Sequence, residues 1–302
     1  MPGCLALRVD VCTLQGLRRG VPRLLELFGR RRVRATFFVT LGPDCSGRAV
    51  ARLWRNRGFA SKMMRTGGLR LYGLRTACYG TLLPAPLVAT RSRPLLERLA
   101  ASPHELGLHA WNHVQWQDHL DALSAADIRD DYERAQDAFA STVGRRADCT
   151  AAPAWLASDT SLGVAEEFGF RFASDTRGQQ PFMPQVGDQT LRTPQIPVTL
   201  PTLDEQLGSR GATAESFYGE LAEMGFAAQS HVLVVHAELE GGPAAAPFEF
   251  FLEALEHRGV EVGPLGAVLE RAPQPFVTCR VERGFVDGRA GAVSLQGRSP
   301  EP

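Results

Sequence analysis

The chain has 302 residues, 44% of them hydrophobic and 22% charged, with a formal net charge of zero. That length and apolar content suffice for one large α/β domain or two small ones and exclude a chain that is mainly disordered. The zero total conceals a division: residues 1–96 hold 18 Lys or Arg against Asp10, Glu26 and Asp44, while the remainder holds 15 basic and 30 acidic residues, so the first portion suits an anionic partner unless the two halves neutralise each other in the fold.

In chain order, Leu5-Ala-Leu-Arg-Val-Asp-Val11 alternates with β-branched residues and reads as a buried strand ending near Asp10. The same run carries Arg8 and Asp10 with no cleavage site behind it, so it is not a secretory signal, and a cytoplasmic location is expected. Six cysteines without a CxxC pair (4, 12, 45, 78, 149 and 279) agree with reduced thiols there. Gly20-Val-Pro22 opens a helix through Leu24, Leu25, Leu27 and Phe28, and Arg34–Thr40 is a second strand. Strand, helix and strand so close together form a βαβ unit and imply a parallel sheet.

Residues 45–91 break that rhythm and read as a basic amphipathic insertion. Arg48 to Arg55 sets Val50, Leu53 and Trp54 on one helical face with Arg48, Arg52 and Arg55 around it, followed by Phe59, Lys62, Met63, Met64 and Arg65. No acidic residue lies between Asp44 and Glu97. The composition suits a helix lying on an anionic membrane surface as well as an ordinary surface helix packed on the core. Met and Leu, rather than stacking aromatics, interleave the arginines, which argues against nucleic acid. No stretch reaches the roughly 18 to 20 uninterrupted apolar residues of a membrane span, and the charge-free run Thr76 to Thr90 holds Pro84 and Pro86.

Gly107-Leu-His-Ala-Trp-Asn-His113 carries two imidazoles four residues apart at the end of a strand, Glu105–Ala110, a spacing that can aim both at one metal ion. Ser124 caps a helix through Thr142; Asp148–Ala152 is a strand, Ser161–Phe168 a helix, and Phe170–Asp175 a strand ending in a carboxylate. After a Pro/Gly-rich loop come Gln195–Leu200, a helix Ala214–Phe226, the strand His231–His236, a helix Phe248–His257 and a short strand Val260–Val262. The last 30 residues read as a hairpin or irregular tail. Alternation of this kind predicts an α/β fold, a (β/α) barrel formed by residues 1–302 as one domain. Asp10, His109, His113, Asp175 and His236 would then share one edge. That set points to metal-assisted hydrolysis: two imidazoles and an anionic group hold a divalent ion, a carboxylate activates water, and a separate imidazole protonates the leaving group.

The segments LRVDV with GVPRLLEL, TFFVTLGPD, GLHAWNHVQWQ, CTAA, SDTRG, QIPVTLPTLDE and VVHAELEG resemble the polysaccharide deacetylase (NodB-homology) family over roughly residues 5–270. The resemblance implies a distorted (β/α)7-type barrel. QIPVTLP and HAELEG resemble the branch that acts on an amino sugar linked to undecaprenyl phosphate in lipid A modification. The implied activity is hydrolysis of an N-formyl or N-acetyl group at the inner face of the cytoplasmic membrane, with an anionic membrane surface as partner and no nucleic acid. The resemblance makes Asp10 the general base, His236 the general acid, Asp175 a supporting carboxylate, and His109 and His113 metal ligands.

Two positions depart from the family pattern. The acidic ligand falls on Cys12; a thiolate with two histidines still suits zinc, with manganese or cobalt possible, but makes the ion a weaker Lewis acid. The arginine that steadies the base falls on Leu156, which would leave the orientation and acidity of Asp10 less controlled. The first reading is therefore a weakened metal-dependent hydrolase, and the second a relative that binds carbohydrate or lipid phosphate without chemistry.

Overall fold

The computed structural model describes residues 4–51, 76–226 and 229–299. In chain order its strands are β1 (Cys4–Val11), β2 (Thr36–Val39), β3 (Glu105–Leu108), β4 (Cys149–Thr150), β5 (Phe172–Ala173), β6 (Phe182–Val186), β7 (Gln189–Thr190), β8 (His231–His236), β9 (Glu261–Gly263), β10 (Val277–Gly284) and β11 (Val293–Gln296). The main sheet is parallel, in the order β5-β4-β3-β2-β1-β8, with β9 paired to the first residues of β1. Helices such as Val21–Arg31, Ala125–Val143 and Ala245–His257 connect and cover it.

Every residue of β1 is buried, as in a central strand covered on both faces. Its period of two divides the strand cleanly. Leu5, Leu7, Val9 and Val11 join the large core beneath the helices. Cys4 and Ala6 join a smaller inner cluster with Phe38, Cys149, Phe172, Val232 and Val234. Arg8 and Asp10 share the parity of Cys4 and Ala6, so they face the inside of the curved sheet. Gly107 makes room there, since a Cβ on it would stand 2.6 Å from the Cys149 carbonyl and 2.8 Å from Phe38.

The expected barrel is present, but its seam is irregular. Gln195–Leu200 bridges β5 and β8: the Ile196 amide donates to the Ala173 carbonyl (2.8 Å), Val198 to Thr176 (2.9 Å) and Leu200 to Val232 (3.2 Å). Pro194, Pro197 and Pro201 lack the donors a regular ladder needs, so the segment closes the barrel without becoming a strand. The strands read over Asp148–Ala152 and Phe170–Asp175 contract to two residues each. Left-handed Ala154 and Trp155 (φ 57° and 54°) turn the first away, and residues beyond β5 pair with the seam and with the C-terminal hairpin instead.

That hairpin, β10 with β11, is more than a tail. It joins β6 and β7 in a four-stranded sheet, and Ser294 pins it to the barrel by accepting from the Ala157 amide at 2.8 Å. The basic insertion begins with a helix, Ser46–Ala51; most of the amphipathic segment read around Arg48–Arg65 lies outside the described residues. Among the described residues no helix is long and apolar enough to cross a membrane.

Candidate active site

Asp10 and His236 are register partners at the ends of β1 and β8. Arg8, two residues before Asp10 and on the same face, holds the carboxylate with a fork: Nε to Oδ1 and Nη2 to Oδ2, both 2.7 Å. Arg8 is itself fully buried, bonded through Nη1 to the Ser174 carbonyl and hydroxyl and lying 5.3 Å over the Phe38 ring. Burial alone would raise the Asp10 carboxyl; the charge of Arg8, with His109 and the Arg8 hydrogen bonds, overrides it and holds the group at about 2. The expectation drawn from Leu156, an uncontrolled Asp10, is thus corrected. The guanidinium comes from Arg8, while Leu156 packs at the core's edge and accepts a hydrogen bond from Trp116 Nε1 at its carbonyl.

Cys12, His109 and His113 each bring one donor atom to a cluster whose atoms all lie within 4.8 Å of one another. His109 Nδ1 is 2.8 Å from the Ala151 carbonyl, so it carries the proton there and leaves Nε2, 3.7 Å from Asp10 Oδ2, with a free lone pair. Burial lowers His109 to about 4, the Asp10 charge opposing and Arg8 assisting, so the ring is neutral at pH 7. Burial, then Glu238 and Asp10, pushes the Cys12 thiol well up. Sulfur and two imidazoles fit a zinc-class ion, provided binding expels the thiol proton.

Buried carboxylates shape this cluster from behind. Glu238 Oε1 accepts from the Cys12 amide (3.2 Å), the Thr13 amide (2.9 Å) and the Thr13 hydroxyl (2.7 Å). Only glycine at position 16 leaves space for it, because a Cβ would sit 2.2 Å from that oxygen. Asp131, on the long helix Ala125–Val143, accepts from the amides of Trp111 (2.7 Å) and Asn112 (2.9 Å), between the two histidines. These bonds secure a turn entered through left-handed Ala110, φ 59°. Asp175 accepts from the Ala152 amide (2.7 Å) and Gln195 Nε2 (2.9 Å), which places it behind the Ala151 carbonyl rather than at the reacting edge.

His236 Nδ1 is buried with no hydrogen-bond partner among the described residues and stands 3.8 Å from Asp204 Oδ1. Asp204 is a residue that the sequence reading passed over. Thr202 and Glu205 form a capping box around it, so an acid in that first turn reads as a helix start. Arg8 was missed for a related reason, as a polar interruption of an apolar strand, although its i, i+2 relation to Asp10 was visible. Arg289, from the loop joining β10 to β11, faces Asp204 Oδ2 at 3.5 Å and had no sequence signal at all.

Known proteins resemble the chain in sequence and in fold. The family profile described as polysaccharide deacetylase matches residues 2–173. The chain is 34% identical, over 96% of its length and 93% of the relative, to a probable 4-deoxy-4-formamido-L-arabinose-phosphoundecaprenol deformylase of Shewanella sediminis. It is 30% identical to a protein of the same name from Wigglesworthia glossinidia brevipalpis, over 93% of this chain and 98% of the relative. The crystal structure of a putative polysaccharide deacetylase from Mycobacterium smegmatis shares the fold, with a TM-score of 0.62 and 20% identity over 93% of this chain and 95% of that one.

Proposed function

Since the chain belongs to the polysaccharide deacetylase family, we propose that it hydrolyses the N-formyl, or else N-acetyl, group of an amino sugar carried on undecaprenyl phosphate, the substrate class in its relatives' names. The observation that carries this reading is the convergence of Cys12, His109 and His113 beside Asp10, with His236 in register with Asp10 across the sheet. Held by the three donors, a divalent ion, zinc by the softness of the set before manganese or cobalt, would supply Lewis acidity at the amide carbonyl and acidity to water.

Asp10, ionised and oriented by Arg8, receives the proton of the attacking water. The Arg8 fork orients that carboxylate and keeps it ionised. His236 gives a proton to the departing amine from Nε2, while Asp204 faces Nδ1 at 3.8 Å and orients the ring. Glu238 and Asp131 hold the Cys12 turn and the histidine turn at fixed separation. The lipid-linked substrate and the basic stretch of residues 45–91 support a peripheral position on the cytoplasmic face of an anionic membrane.

The test is formate release from the formamido-arabinose lipid phosphate by protein loaded with zinc, manganese or cobalt. Release that Asp10→Asn abolishes supports the hydrolase. If no metal binds and release appears only after Cys12→Asp, the chain is a carbohydrate- or lipid-phosphate-binding relative instead.

A further inference from the structure

The β10–β11 hairpin lies beyond the residues matched by the family profile, yet its loop reaches back over the candidate site. Arg289 stacks on Trp155, its guanidinium carbon 4.4 Å from the ring centroid. The loop is seated tightly, since a Cβ at Gly288 would stand 2.0 Å from the Glu205 carbonyl oxygen, and its φ is +81°. Beside it is a cavity of about 330 Å³ whose lining includes Gln117, Asp121, Ala154, Leu156, Arg283 and Arg289.

Three short paths tie this cavity to the candidate site. Gln117 follows His113 by one helical turn, about 6 Å along the axis. Ala154 is three residues past Ala151, whose carbonyl holds His109, a reach of at most about 10 Å. Arg289 and His236 both face the Asp204 carboxylate, at 3.5 Å and 3.8 Å. A single monosaccharide bridges such a separation.

The two arginines that flank Trp155 differ in commitment. Arg177 is tied down, with Nη1 2.8 Å from Glu205 and Nη2 2.9 Å from the Leu200 carbonyl. Among the described residues the side chain of Arg289 has polar contacts at 3.5 Å or longer, to Asp204, Glu205 and the Ala154 carbonyl, too long to saturate its donors. Arg283 bridges Asp121 at 2.6 Å, but that carboxylate is 81% exposed, so solvent screens the pair and an anion can exchange for it. Ala154, Leu156 and Val293 supply apolar wall between the charges.

We propose that this cavity binds the phosphate ester of the lipid-linked sugar, with the Arg289 fork on two of its oxygens and Arg283 at the rim. The proposal rests on the hydrolase reading above and names how the site selects a phosphate-bearing substrate. Binding of hexyl phosphate and of inorganic phosphate, followed by titration calorimetry with a chelator present, tests it without turnover. Hexyl phosphate should bind, weaken with added salt, weaken about tenfold in Arg289→Gln and measurably in Arg283→Gln, and remain unchanged in Cys12→Ala. Arg289→Lys, which keeps the charge without the fork, should recover part of the loss. Affinity for inorganic phosphate equal to that for hexyl phosphate, or binding indifferent to both the Arg289 and Arg283 substitutions, overturns the proposal. Arg283→Gln, on the rim, carries the test alone if the Arg289 variants fail to fold. Absence of amide hydrolysis would remove the hydrolase reading and leave this result standing.

Discussion

Arg8 and Asp10 form a pair whose members cannot be separated cheaply. Arg8→Gln would leave a buried carboxylate without its cation, a loss of about 3–5 kcal/mol of stability. Burial would then dominate, and the Asp10 carboxyl would rise from about 2. Because the native carboxyl is held below its ordinary value, the pair's stability is full above about pH 4 and is lost as pH falls toward 2. Denaturant melts of the wild type should show that decline and melts of Arg8→Gln should not. In activity, the acid limb of the pH profile should move upward in the variant; an unmoved limb would mean that Arg8 does not set the base. Cys12 makes a second prediction at this scale. Cobalt bound to the wild type should show a thiolate-to-metal charge-transfer band, absent in Cys12→Asp, and Cys12→Asp should shift preference toward manganese. Cobalt binding without that band would remove Cys12 from the ligand set. Cys12 entered the donor set only through the family resemblance, whereas the two histidines were legible in the sequence, because HxxxH is local. The Arg8 fork and the Asp204 contact were not, because strand parity and a capping box disguise them as ordinary structure.

The turn between the histidines depends on a helix remote in sequence. Asp131 reaches it from Ala125–Val143, and its two accepted amide bonds offset the strain at Ala110. Burial raises the Asp131 carboxyl to about 6. An acid raised in the folded state binds its proton more tightly there than when unfolded, so stability falls as pH climbs from about 4 to about 6 and is flat above. The full span is on the order of 3 kcal/mol. Asp131→Asn should lack this slope and, with one acceptor replaced by a donor, should be weaker by about 1–3 kcal/mol at pH 5. Its zinc affinity should also drop, as is usual when support behind a ligand is lost; full affinity would show that the turn holds itself. The long helices and central strands could be read from periodicity, since each forms locally. The shortened β4 and β5 could not, because proline-rich Gln195–Leu200 and a hairpin about 120 residues downstream of β5 take their partners.

Across the whole molecule, the charge division of the sequence resolves into two parts. Some of it is internal balance: Arg30 and Arg31 of the helix Val21–Arg31 bridge Glu249, Glu253 and Glu256 of the helix Ala245–His257, at 3.0 to 3.7 Å. Arg8 is spent on Asp10 in the interior. Residues 45–91 differ, with nine basic residues and no acid in the sequence to neutralise them locally. A charge excess confined to one segment, on a chain whose candidate substrate is a lipid, should act at the membrane rather than in the fold. Each basic residue near an anionic surface contributes about 1 kcal/mol. Neutralising Arg52, Arg55 and Lys62 together to Gln should therefore weaken sedimentation with phosphatidylglycerol-containing vesicles roughly a hundredfold at low salt. It should leave the melting temperature unchanged. The wild type should release from the vesicles as ionic strength rises past about 0.1 M, where the screening length contracts to about 10 Å. Equal binding to purely zwitterionic vesicles, or a triple variant that binds as tightly as the wild type, would reassign the excess to an ordinary solvated face and leave substrate capture to the cavity under Arg289.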